Sequence, residues 1–209
     1  MSSACYDFLD SAPVIPVIAI ENLSHAVPLA EALVAGGIVN LEITLRTEHG
    51  LDAIRLINQQ VAGAHVGVGT VCNAREFDAA IDAGAQFVVS PGQSDALFER
   101  ALVTNIPFLP GAVTATEVIA AKEAGFQILK FFPAGTSGGA AAIKAFSGPF
   151  GALQFVPTGG VTIHNANDYL SLPNVRAVAG TWLTPSDAIN AERWDDITHI
   201  ARDASQLGA

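Results

Sequence analysis

The sequence predicts the α/β class and, within it, a single-domain (β/α)8 barrel spanning 1–209, with a short helix ahead of the first strand. Short apolar runs rich in Val, Ile and Phe alternate with Ala-rich stretches of helical period, which is the pattern of parallel βαβ units. Eight such units fit into 209 residues, near the lower limit for a barrel of this kind. No G-x-G-x-x-G follows the first run, so the usual mark of a dinucleotide-binding doubly wound sheet is missing.

The strand runs fall at 14–20, 39–45, 65–70, 86–90, 107–109, 127–132, 153–157 and 175–180. They are apolar at nearly every position, as strands covered on both faces are. Helical stretches lie between them at 24–35, 74–83, 94–103, 115–124 and 140–146, and several end at glycine, as in Ala35-Gly36-Gly37, Ala83-Gly84 and Ala124-Gly125. Glycine there supplies the left-handed stop before the next strand. Residues 3–9 form the short leading helix, placed to plug the barrel's lower end. No linker, low-complexity tract or residue-level repeat divides the chain.

Composition narrows the function classes. Half the residues are hydrophobic and 14% charged, with a formal net charge of −10; the mean hydropathy is +0.40 and the isoelectric point near 4.7. Nucleic acids and anionic membranes call for clustered basic surface, which this chain lacks. The longest apolar run, 12–20, is broken by Pro13 and Pro16 and is far short of the ~20 residues that span a bilayer. The first ten residues carry two aspartates and no basic side chain, unlike a secretory signal. Two cysteines, Cys5 and Cys72, make no disulfide framework, and the expected setting is cytoplasmic.

In a parallel barrel the chemistry collects at the C-terminal ends of the strands. Those ends present Glu42, Thr44 and Arg46; Thr70; Ser90-Pro91-Gly92; Pro110-Gly111; Lys130; Thr158-Gly159-Gly160; and Thr181. Lysine is scarce, and of Lys122, Lys130 and Lys144 only Lys130 lies in an apolar strand, where Ile128, Lys130 and Phe132 share a face. An amine drawn out of water is disfavoured in its charged form. A neutral amine can condense with a ketone to a Schiff base, whose iminium withdraws electrons from the adjoining carbon–carbon bond. The alternative is a strand-end lysine reaching for solvent.

Glu42, Thr44 and Arg46 likewise share a face. Imine formation needs several proton transfers, which one carboxylate can serve, while a guanidinium matches a carboxylate bidentately. A Glu42–Arg46 ion pair without a catalytic role is the competing reading. Gly159-Gly160 after the seventh strand and Thr181 after the eighth fall where barrels commonly hold phosphate. Backbone N–H groups can approach an anion there, and a following helix N-terminus would add favourable potential. The five histidines show no metal-ligand spacing and read mostly as surface or loop residues. Cys72 reads as a small packing residue and Trp182 as a rim-packing ring.

The segments PVIPV, AEALVAGG, LEITLRT, VGVGTV, GAQFVVSPG, LKFFPA, GPF, PTGGV and GTWL occur in this order. Together they resemble the class I 2-keto-3-deoxy-6-phosphogluconate (KDPG) aldolase and 4-hydroxy-2-oxoglutarate (KHG) aldolase family, from Pro13 to about Pro185. The resemblance implies a homotrimeric barrel of the Entner–Doudoroff pathway that needs no metal or cofactor. Its substrate would be a 2-keto-3-deoxy phosphosugar acid, cleaved to pyruvate and glyceraldehyde 3-phosphate. It further implies that Lys130 forms the Schiff base, Glu42 shuttles protons, and Arg46 with Thr70 holds the pyruvyl carboxylate and adjoining groups. Pro91, Phe132 and Thr158 would shape the pocket, and Gly159, Gly160 and Thr181 would bind the phosphate. Two positions depart from the family pattern GGSWL: Thr181 stands for serine, and Ala179 for the first glycine. Other readings of the same residues are an aldolase for 4-hydroxy-2-oxoglutarate or a galactonate-derived isomer, a silent phosphosugar-binding barrel, and a metal-dependent aldolase with Glu42 as a ligand.

Overall fold

The computed structural model describes residues 3–208. Eight parallel strands are present: β1 Val14–Ile18, β2 Asn40–Thr44, β3 His65–Gly69, β4 Val88–Val89, β5 Phe108–Leu109, β6 Ile128–Phe131, β7 Gln154–Pro157 and β8 Val178–Gly180. The helices of the expected stretches are α1 Ala26–Ala35, α3 Ala74–Asp82, α4 Asp95–Thr104, α5 Ala115–Glu123 and α6 Gly139–Phe146. Intervals not read as helix above hold α2 Gly50–Gln60, α7 Ala166–Leu170, α8 Ser186–Asn190 and α9 Trp194–Ser205. The three glycine stops do turn left-handed, with φ of 92° at Gly37, 89° at Gly84 and 93° at Gly125.

Continuous ladders join six strands into a curled sheet in the order β5-β4-β3-β2-β1-β8, and β6 with β7 into a second, two-stranded one. This departs from the expected uninterrupted ring of eight strands. The seams between the two sheets are single parallel bridges, Gly111 to Lys130 on one side and Phe155 to Val175 and Thr158 to Ala179 on the other. Proline explains the first seam. Pro107 and Pro110 flank β5 and cannot donate to a ladder, so pairing resumes only where Lys130 N–H donates to the Pro110 carbonyl and Ala112 N–H to that of Lys130, both at 2.9 Å. At the second seam the turn before β8 intrudes: Phe155 N–H bonds to the Asn174 carbonyl, and Arg176 N–H to that of Phe155. The expected run 175–180 accordingly shrinks to β8, and within the larger sheet the run 86–90 shortens to the two residues of β4.

The alternation of side chains sorts the strands into two packing layers. One face meets the helices in the larger core, with Leu41, Ile43, Val66, Val68, Leu129, Phe131 and Phe155 fully covered. The other face points into the curl, where Ile15, Val17, Phe87, Val89, Leu109, Ile128, Val156 and Ala179 pack together. Tyr6 and Leu9 complete this inner cluster from a 3-10 helix, Ser3–Asp10. The helix lies across the N-terminal ends of the strands: Tyr6 Oη donates to the Phe108 carbonyl at 2.9 Å and Asn40 Nδ2 to that of Phe8 at 2.8 Å. At this lower end the polar groups Asn40 and His65 pack against the leading helix, whereas the buried charged pair of the inner face, Glu42 and Lys130, lies towards the C-terminal strand ends.

Candidate active site

One strand position further along this inner face, apolar side chains give way to Glu42, Lys130 and Thr158, which are 1%, 6% and 5% exposed. Lys130 Nζ lies 3.2 Å from Glu42 Oε1 and 5.3 Å from the centre of the Phe132 ring. Both reach the site by register: Lys130 is two residues beyond Ile128 on β6, and Glu42 sits opposite Val17 on one side and Gly67 on the other. Lys122 and Lys144, by contrast, are exposed on their helices. Lys130 thus does not reach for bulk solvent. Nor does Glu42 pair with Arg46, whose Nε instead donates to Thr44 Oγ1 at 3.2 Å.

All ten residues to which the resemblance gives a role meet around one cavity of about 300 Å³: Glu42, Arg46, Thr70, Pro91, Lys130, Phe132, Thr158, Gly159, Gly160 and Thr181; of the other strand-end candidates, Thr44, Ser90, Gly92, Pro110 and Gly111 do not line it. Val17, Val161 and Gly180 complete its wall. Arg46 and Thr181 stand exposed at the rim while the lysine and glutamate lie at depth. A neighbouring cavity of about 370 Å³ shares Val17, Arg46 and Thr181 and runs towards His25 and Asn190. The buried amine and carboxylate face the first cavity.

Thr70 holds a φ of 65°. A β-branched residue adopts that backbone only under constraint, at a cost of about 1–3 kcal/mol. The loop after it is pinned: the Glu76 carboxylate accepts from Cys72 N–H at 2.6 Å, and Asn73 Oδ1 from Glu76 N–H at 3.0 Å. This loop also corrects the reading of Cys72, which is exposed rather than packed, because the chain turns outward there to start α3. Partial burial, with the Glu76 carboxylate nearby, pushes the thiol up from its ordinary value, so it is a poor nucleophile at neutral pH.

Gly159 and Gly160 take φ of 90° and 78°, which favours glycine at both. The helix after them starts only at Ala166 and has five residues, so the turn itself, rather than a helix end, faces the cavity. Trp182 lies over Gly180, where a Cβ would come within 2.0 Å of its ring, in keeping with a packing role. Sequence reasoning missed Gly69. A Cβ at this position would fall 2.1 Å from Glu42 Oε1, so the missing side chain is the space that the carboxylate occupies. His65 is no loop residue: it sits in β3, with its ring 4.8 Å from Phe8 and 5.3 Å from Phe87. Among the described residues no three His, Cys, Asp or Glu side chains come together as a metal cluster, and no helix is long and apolar enough to cross a membrane.

Comparison with known proteins gives the same picture over nearly the full chain. Residues 6–200 match the family described as "Aldolase: KDPG and KHG aldolase". The 2-dehydro-3-deoxy-phosphogluconate aldolase of Dickeya dadantii (strain 3937) is 48% identical over 196 residues, covering 94% of this chain and 92% of that protein. The KHG/KDPG aldolase of Escherichia coli (strain K12) is 46% identical over the same shares. A crystal structure of the Legionella pneumophila KDPG aldolase, with pyruvate captured at low pH as a covalent carbinolamine, superposes with a TM-score of 0.92 at 41% identity and covers 95% of this chain and 96% of that one. The Zymomonas mobilis ZM4 aldolase with 3-phosphoglycerate gives 0.91 at 40% identity, covering 97% and 95%. With its buried amine and carboxylate side by side at the strand ends, this chain belongs to the KDPG and KHG aldolase family.

Proposed function

We propose that the protein is a class I aldolase that cleaves 2-dehydro-3-deoxy-6-phosphogluconate to pyruvate and D-glyceraldehyde 3-phosphate. The observation that carries this reading is the 3.2 Å contact of Lys130 Nζ with Glu42 Oε1 inside a cavity of substrate size. Lys130 attacks the C2 carbonyl, water leaves the carbinolamine, and an iminium remains. Glu42, within reach of the nitrogen, exchanges the protons that addition and dehydration require and takes the proton of the C4 hydroxyl as C3–C4 breaks. The bonding pair moves into the iminium to give an enamine, which is protonated at C3 and hydrolysed to pyruvate. The aldehyde leaves from the C4 side.

Arg46 and Thr70 hold the carboxylate end, and Pro91, Phe132 and Thr158 confine the reacting carbons. Gly159, Gly160 and Thr181 receive the phosphate, which suits the left-handed glycine turn and the rim position of Thr181. The added methyl of Thr181 narrows the phosphate end while keeping its hydroxyl. An overall charge of −10 does not prevent this, because beyond ~8 Å that field is largely screened at physiological salt. The two sheets, bridged at both seams, work as one closed (β/α)8 barrel in a single domain. The molecule is a metal-free homotrimer with a cytoplasmic setting. Its assembly follows the family resemblance.

Substrate choice is tested by measuring pyruvate release from the 6-phosphogluconate-derived acid, its galactonate epimer and 4-hydroxy-2-oxoglutarate, with and without a chelator. The proposal expects the first to give the highest kcat/KM and the chelator to have no effect. Preference for either of the others would reassign the substrate, and loss of activity with chelator would overturn the Schiff-base reading.

A further inference from the structure

Thr44 belongs to none of the roles above, yet its side chain sits between two of the elements that build the site. It is 1% exposed, next to the cavity rather than in its wall. Its hydroxyl donates to the Ile18 carbonyl at the end of β1 at 2.9 Å and accepts from Arg46 Nε at 3.2 Å. A threonine hydroxyl has a single proton. The Ile18 carbonyl can only accept, so that proton is committed to it, and the oxygen lone pairs are left facing the guanidinium.

We infer that Thr44 is a positioning residue that sets which edge of Arg46 meets the substrate carboxylate. With Nε–H engaged, the four N–H groups of the two terminal nitrogens remain, and the end-on edge is the one presented bidentately. Arg46 is otherwise exposed at the rim, on a long side chain whose ordering costs much rotamer freedom. Thr44 lowers that cost before substrate arrives, because its own position is fixed by burial and by β1. The inference rests on the proposed role of Arg46 as carboxylate binder.

The test measures pyruvate affinity together with kcat and KM for the phosphorylated 2-keto acid in Thr44→Val, Thr44→Cys and Thr44→Ser, each alone and with Arg46→Ala. Valine removes both hydrogen bonds and cysteine offers only a weak acceptor. Each should raise KM and the pyruvate Kd about tenfold, with kcat held within about twofold, the signature of lost uniform binding. Serine should keep both within about twofold of the parent protein. In the Arg46→Ala background, Thr44→Val should have no further effect on KM. Unchanged KM in Thr44→Cys, or an equal rise with and without Arg46, overturns the inference while leaving the carboxylate role intact. Arg46→Ala with unaltered pyruvate affinity overturns the carboxylate role itself. Thr44→Cys and Thr44→Ser keep a polar group beside the Ile18 carbonyl, so the test survives even if the valine variant fails to fold.

Discussion

At the scale of single residues, the site is organised by what is absent as much as by what is present. Glu42 can sit beside Lys130 only because β3 offers no side chain at Gly69, and Gly67 clears the Phe87 ring in the same way, with a Cβ 2.4 Å from it. Gly69→Ala therefore displaces the Glu42 carboxylate from the amine. The expected outcome is a kcat lowered by roughly 10² to 10⁴, the range for a misplaced general acid–base, in a protein that still folds; wild-type kcat would show that the carboxylate has another place to go. Lys130 was legible in the sequence because a lysine among Ile128, Leu129 and Phe131 has no reason of packing to be there. Gly69 was not legible, since its reason is a carboxylate arriving from a neighbouring strand. Thr44 was seen to share a face with Glu42 and Arg46, but its paired hydrogen bonds depend on the register of β1 against β2.

Among the elements, the five helices read from the sequence start within two residues of their expected positions, whereas α2, α7, α8 and α9 were not read and several strand ends were overdrawn. Thr114 and Glu117 announce α5 by their spacing and form a full capping box. Glu117 Oε2 accepts from the N–H groups of Val113 and Thr114, each at 2.8 Å. Burial pushes this carboxyl up, but the hydrogen bonds from Val113 and Thr114 outweigh it and hold the group below its ordinary value. A carboxylate depressed in the folded state stabilises above its unfolded pKa, and that contribution is lost as pH falls through the folded value. Thr114→Ala should cost about 1 kcal/mol in urea unfolding at neutral pH; an unchanged midpoint would remove the box from the account of α5. β5 fell within one residue of its expected run, while β4 and β8 were overdrawn because apolar runs cannot reveal where ladder pairing stops. Pro107 and Pro110 hinted at it, yet which neighbour lacks a donor becomes apparent only once β6 is placed opposite.

For the whole molecule, the division of the inner face into a lower end packed against the leading helix and an upper end that carries the Lys130–Glu42 pair separates stability from function. At the lower end, the His65 ring lies against Phe8 and Phe87, its buried Nδ1 has no hydrogen-bond partner among the described residues, and burial lowers its pKa. A histidine held neutral in the folded state lets the unfolded chain bind the proton first, so stability falls as pH drops below the unfolded value of about 6.5. Thermal unfolding between pH 7.5 and 5.5 should show this decline, and His65→Phe should flatten part of it without altering turnover at pH 7.5. Equal slopes in both proteins would contradict that reading. The fold class and the residues around the cavity were readable because both follow from the order of βα units and the rule that places chemistry at strand ends. The seams between the two sheets were not, since they depend on closure of the curl.

The measurement that bears most directly on the whole account is mass spectrometry of the intact protein after incubation with pyruvate and borohydride, followed by peptide mapping. Reduction of an imine leaves a permanent adduct. The account predicts one adduct per chain, confined to Lys130 and lost in Lys130→Met. An adduct at Lys122 or Lys144, or none although pyruvate binds, would contradict it.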